Sequence, residues 1–194
     1  LTTATVAGTT SAPLTLDSAL ATHLTATINS ADYDGLIAEA HQLPATSNAD
    51  RYQLVLRPWL WWLTLASNNR VFQNLSAQEI VEKVFKDAGF SDYKFQLKSK
   101  PAKREYCLQY NESDFNFVSR LLEQEGIFWF FTYEAGKHTL VLADDNSAFP
   151  PIPGDKNVKY QAAASGARET GMIRSAELHL QATAQGFQSS DYNY

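Results

Sequence analysis

The sequence predicts a mostly β protein with α insertions, on three observations. Apolar and polar residues alternate with a period of two in stretches such as His23–Ile28, the pattern of a strand with one buried face. Clusters rich in Pro, Gly, Asn and Asp punctuate the chain, as at residues 44–50 and 150–154. Two segments alone combine a helical apolar period with a Ser before it and a Gly after it, so helices are expected as insertions.

In chain order, residues 1–20 are rich in Thr, Ala and Ser and show no clear period. In the first strand, Leu24, Ala26 and Ile28 share one face, and His23, Thr25 and Thr27 share the other. Strands are expected over residues 35–43 and 52–56, joined through the polar stretch 44–50 as an antiparallel hairpin. Arg57-Pro58 ends the second of them. Pro58 lacks the N–H a central strand needs and suits the first position of a helix, so residues 59–65 read as a short apolar helix.

Ser76-Ala77-Gln78-Glu79 is a capping box, in which each end residue accepts a hydrogen bond from the other's backbone N–H. Ile80, Val81, Val84, Phe85 and Ala88 then recur at helical spacing, and Gly89 supplies a left-handed stop. A second helix is expected from the cap Ser113, with Phe117, Val118, Leu121 and Leu122 inward and Gly126 as its stop. The run 127–131 is continuously apolar and short, so it predicts a strand covered on both faces. Glu134, Ala135, Gly136 and Lys137 read as the turn into a strand over 138–142. Asp144, Asp145 and Asn146 end that strand, and the Pro-rich stretch 150–154 marks a domain boundary between residues 1–153 and 154–194. Beyond it, residues 172–180 alternate, with Ala176, Leu178 and Leu180 inward.

A net charge of −5, with Lys and Arg spread thinly, offers no basic stripe to a phosphate backbone, so nucleic acid is not an expected partner. The one cysteine, Cys107, alternates with Tyr106 and Leu108 and reads as a buried strand residue rather than a nucleophile. Residues 1–13 lack the order of a secretory signal, and no apolar run is long enough to cross a bilayer. The expectation is synthesis in the cytoplasm and, if the protein is exported, another route out.

No catalytic, cofactor-binding or metal-binding residues are predicted. His23, His41, His138 and His179 stand far apart, outside any ligand spacing, and read as strand-surface histidines. There is no Gly-x-Ser-x-Gly elbow and no phosphate-cradling Gly-rich loop followed by Lys. Glu123 with Glu125 and Asp144 with Asp145 read as a solvated helix end and a turn, although paired carboxylates also serve glycosidases. Asp114 reads as a partner for its helix dipole. The aromatics at 59–62 and 128–131 are nearly consecutive, which favours core over a stacking platform, and Trp59, Trp61, Trp62 and Trp129 are expected to be largely buried.

The order of the blocks 52–59 (Tyr-Gln-Leu-Val-Leu-Arg-Pro-Trp), 70–74 (Arg-Val-Phe-Gln-Asn), the helix capped by Ser76, 104–115 (Arg-Glu-Tyr-Cys-Leu-Gln-Tyr-Asn-Glu-Ser-Asp-Phe), 125–128 (Glu-Gly-Ile-Phe) and 138–144 (His-Thr-Leu-Val-Leu-Ala-Asp) closely resembles VgrG spike proteins of type VI secretion. These are related to the hub protein of contractile phage tails. The resemblance implies β-barrel-like tube domains in a homotrimeric hub that joins the hexameric Hcp tube to a spike needle. Residues 1–153 would then be a hub tube-domain segment and 154–194 the start of a second barrel. It implies a structural protein rather than an enzyme, without cofactors, whose partners are Hcp, baseplate and spike-tip proteins and effector cargo. Such a protein assembles in the cytoplasm and is then secreted by the machine, touching the target membrane only by puncture. Compared with the family pattern, the stretch before Gly35 is short and no OB-fold or needle repeat follows, so a hub fragment is expected. Two other readings stand beside it: a phage tail or baseplate hub, and a carbohydrate-binding or carbohydrate-active β-domain.

Overall fold

The computed structural model describes residues 4–10, 16–28, 31–46, 49–151, 158, 160, 173, 175–182, 186, 188 and 190. The chain divides into two compact units, Leu1–Ala148 and Phe149–Tyr194. In the second unit the described residues include an isolated parallel bridge between Tyr160 and Ile173. The strand expected at 172–180 has no ladder among the described residues, where residues 175–180 carry no regular secondary structure and Leu178 and Leu180 are more than four-fifths exposed. Alternation marks a strand only when a partner supplies its hydrogen bonds. The residues at 172 and 174 lie outside the described part.

The first unit holds three sheets and two longer helices among its described residues. The four-stranded antiparallel sheet runs in the order β1-β4-β3-β2, from β1 (Ala4–Thr10), β2 (His23–Ile28), β3 (Ala31–Thr46) and β4 (Ala49–Arg57). The hairpin expected around residues 44–50 is present but tighter than predicted, since strand pairing continues to Thr46 opposite Ala49. Pro44 is accommodated at a register irregularity between Leu43 and Thr46, where its missing N–H breaks no ladder bond. Neither β1 nor the four-residue helix α1 (Leu16–Ala19) was predicted from the aperiodic first segment.

Trp59–Thr64 does form a short apolar helix, of the tighter 3-10 kind. Pro58 is its N-cap in extended conformation rather than its first helical residue, and it gives no side-chain cap. A two-stranded ribbon follows, β5 (Ser67–Ser76) against β7 (Lys103–Ser113), with the α2 helix (Ala77–Asp87) and β6 (Tyr93–Gln96) between them in sequence. The α3 helix (Asp114–Gln124) leads into the hairpin of β8 (Phe128–Glu134) and β9 (Lys137–Ala143), and β6 joins β9 in parallel to give the order β6-β9-β8.

Both predicted helices start and stop as expected. Ser76 accepts from Glu79 N–H at 3.3 Å while its own N–H donates to Glu79 Oε2 at 2.7 Å, and Ser113 Oγ accepts from Asn116 N–H at 3.1 Å. At the other ends, Phe90 N–H reaches Phe85 O and Ile127 N–H reaches Leu122 O, each across a left-handed glycine, Gly89 at φ 84° and Gly126 at φ 68°. Each is the double-bonded Schellman stop, and the paired residues are themselves apolar. The buried stripes of α2 (Ile80, Val81, Val84, Phe85) and α3 (Phe117, Val118, Leu121, Leu122) meet Trp59, Leu60 and Leu63 and the inner faces of Phe72, Cys107, Leu140 and Leu142 in one core. Trp59 is gripped edge-on by Phe85 at 5.0 Å and stacked by Phe90 at 4.7 Å.

Two burial expectations are corrected. The strand covered on both faces is β9, where residues 140–143 are all buried, whereas every residue of β8 up to Tyr133 is only half-buried. Sheet order explains it, because β9 is central and β8 is an edge. Of the four tryptophans, Trp59 is buried, Trp61 and Trp129 are half-buried, and Trp62 is 37% exposed at the end of its short helix.

Candidate functional site

Apart from Ser76 at its helix cap, the buried polar residues described in the first unit gather in two places. The first is built around the 3-10 helix that Pro58 leaves uncapped. A helix start presents backbone N–H groups with no partner of their own. Here Trp59 N–H donates to His138 Nε2 at 2.8 Å, so a residue 79 positions away serves as the cap. Because Nε2 accepts, the ring proton resides on Nδ1, which donates to Asp34 Oδ1 at 2.6 Å. Asp34 is itself buried on β3, and it also receives His23 Nδ1 at 3.1 Å and Thr25 Oγ1 at 3.2 Å from β2. Thr25 in turn accepts Gly136 N–H, at the tip of the β8–β9 hairpin, at 2.9 Å. This network ties the four-stranded sheet, the 3-10 helix and the β6-β9-β8 sheet together.

His138 is therefore corrected from a strand-surface histidine to a fully buried one, and burial outweighs Asp34 in pushing its pKa down. His23 is half exposed, with its ring centroid 5.7 Å from that of His138. His41 lies on the surface of β3, 3.6 Å from Glu39, as expected, whereas His179 is exposed but lies in no strand. Ligand atoms of His23, Asp34 and His138 lie within 4.8 Å of one another, close enough to raise the question of a metal. A cation on His138 Nδ1 would move its proton to Nε2, directly against the Trp59 N–H, so the hydrogen bonds oppose metal ligation by this ring.

The second cluster centres on Asp114. Besides facing its helix dipole, the buried carboxylate accepts from Asn68 Nδ2 at 3.0 Å, Arg70 Nη2 at 3.2 Å and Gln109 Nε2 at 2.7 Å. Its N–H donates to Ala66 O. Arg120 reaches back from α3 to Glu112 at 2.6 Å and to Leu108 O, and Arg104 joins Gln124 and Glu125 at the far end of that helix. The block 104–115 thus carries side chains that fasten α3 along the β5–β7 ribbon. Of the paired acids, Glu123 is exposed and Glu125 serves Arg104. Asp144 accepts the N–H groups of Lys98 and Ser99 and Asp145 pairs with Lys98, contacts that hold both below the ordinary carboxylate range. Cys107 is buried, as expected.

The arrangement of these clusters is that of fasteners between elements. The family model of the phage tail baseplate hub (GPD) matches residues 2–194. This chain belongs to that family. The hub chain is 37% identical over 162 residues to the type VI secretion system spike protein VgrG1c of Pseudomonas aeruginosa, covering 84% of the hub chain and 22% of the relative. It is 38% identical over 143 residues to the actin cross-linking toxin VgrG1 of Vibrio cholerae, covering 74% of the hub chain and 13% of that protein. It therefore belongs with the VgrG spike proteins, of whose length it spans about a fifth. Among solved structures, the c3393 protein of E. coli, described as a type VI secretion component similar to the T4 tail proteins gp27 and gp5, superposes with a TM-score of 0.72. That match has 26% identity over 84% of the hub chain and 45% of the other.

Proposed function

We propose that this chain is the hub segment of a type VI spike, acting as one third of a homotrimeric ring that joins the Hcp tube to the needle. The observation that carries this reading is the VgrG likeness across 84% of the chain, over a first unit whose buried polar groups fasten elements together. The role is mechanical, transmitting the push of the tube to the spike, and residues 154–194 begin a second barrel of the same hub. No side chain is assigned a catalytic, cofactor or metal role. Baseplate and spike-tip proteins and effector cargo are the further partners. The protein is made in the cytoplasm and leaves through the machine itself. The open edges of β2 and β1 in the four-stranded sheet, and the two-stranded β5–β7 ribbon, are surfaces that neighbouring chains would cover in such a ring.

Light scattering on the full protein that carries this chain tests the proposal. A discrete trimer at micromolar concentration is expected, and a stable monomer with its secondary structure intact would overturn it. A phage tail or baseplate hub remains the second reading, favoured by the family that matches the whole chain; a gene neighbourhood of tail genes rather than tube and sheath secretion genes would select it.

A further inference from the structure

His138 holds three parts of the fold through two ring nitrogens, and both are committed. Nε2 carries a lone pair toward Trp59 N–H at 2.8 Å, and Nδ1 carries the only ring proton, toward Asp34 at 2.6 Å. An imidazolium has a proton on each nitrogen and accepts nothing. A second proton on Nε2 would set two donors against each other at hydrogen-bond distance, and the amide of Trp59 has no other side-chain cap. Trp59, Leu60 and Leu63 are core residues of a segment that packs on α3 and, through Trp59 against Phe85, on α2, so displacing that amide disturbs the joint between the short helix and β9.

We propose that His138 is a proton-operated latch: taking a proton on Nε2 expels the Trp59 amide and frees the 3-10 segment from strand β9. The groups around the ring set its response. Asp34 on β3 and Asp92 before β6 favour the imidazolium, while burial and His23 on β2 oppose it, and burial dominates. Tyr133 on β8 has its ring 6.3 Å away, and burial pushes its hydroxyl pKa up, so it adds no charge beside the ring. Tyr33 on β3 lies against Tyr133 with the two rings tilted, centroids 5.6 Å apart. Lys137, the neighbour on β9, is engaged by Asp92 at 2.9 Å, and Glu134 lies opposite it in the hairpin register. With the native value depressed below 6.5, the latch is fully closed above the unfolded value. Its contribution is lost as the pH falls from there through the native value. The latch belongs to a single chain and does not depend on trimer formation.

Hydrogen exchange followed by mass spectrometry on the full protein, from pH 8 to pH 5 and corrected for intrinsic exchange, reads the latch directly. The opening constant of a peptide covering residues 57–63 should rise by up to about tenfold per pH unit below the unfolded histidine value, the limit for one linked proton. The β5–β7 ribbon should keep its protection. Flat protection at 57–63 across the range would overturn the proposal, as would equal loss in the ribbon, which would mean global acid unfolding. His138→Gln keeps an acceptor for Trp59 and cannot take a proton, so its protection should be independent of pH; persistence of the wild-type dependence would overturn the latch. His23→Gln, at a half-exposed position, should retain the wild-type dependence. Flattening there would assign the proton to His23 instead, and this arm stands even if His138→Gln does not fold.

Discussion

Ser76→Ala removes the oxygen that accepts Glu79 N–H, leaving a donor at the start of α2 without its cap. A loss of about 0.5–2 kcal/mol in urea unfolding is expected. The same box holds Glu79 below its ordinary pKa, chiefly through the Ser76 N–H, so its support is present above the unfolded value near 4.5 and fades as the pH falls through the lower native one. His138→Ala should be costlier. It strips the Trp59 N–H and a buried carboxylate of their shared partner at once, and about 2–4 kcal/mol follows from unsatisfied groups of this kind. The spacing of the histidines along the chain carries no information about the burial of His138. The signal that would have found it is parity, since His138, Leu140 and Leu142 alternate onto one inward face. Its partner Asp34 has no such signal, as nothing local tells a buried aspartate from a strand-edge one.

Gly89→Ala and Gly126→Ala isolate the helix stops. Both glycines have positive φ, and an added Cβ at either meets nothing within 4 Å, so the expected loss of about 1–2 kcal/mol in chemical denaturation is backbone strain alone. Gly35→Ala tests the opposite case, a Cβ 3.1 Å from Arg57 O between paired strands, where space rather than conformation resists. The helices were legible because caps, stripe and stop are all local. Sheet elements were legible only in part. The β3–β4 and β8–β9 hairpins announce themselves through their turns, but β6 is four residues long and its parallel partner β9 lies far along the chain, so no nearby pattern reveals it. For the same reason the aromatic run of β8 does not reveal that β9 is the doubly covered strand: composition shows what is apolar, and only sheet order decides which strand is central.

For the molecule as a whole, tryptophan exposure is the readiest check. Acrylamide should quench part of the fluorescence, and Trp62→Phe should remove much of the accessible fraction while leaving the blue-shifted emission of Trp59. Quenching by oligosaccharides would instead revive the carbohydrate reading. Membership of the hub family was readable from the ordered blocks, and block 104–115 carries fastenings of the fold: Arg104 to Glu125, Gln109 to Asp114, Ser113 to Asn116. The cap on Trp59 also has a consequence for the birth of the protein. Its acceptor arrives 79 residues later, and β6 waits for the same strand before it has a neighbour. A nascent chain halted at Gly136 should therefore keep the 3-10 segment open to protease and bind a hydrophobic dye, whereas one released after Ala148 should do neither. Until β9 clears the ribosome, the aromatic heart of this unit is unfinished, and it is in that interval that a chaperone has something to hold.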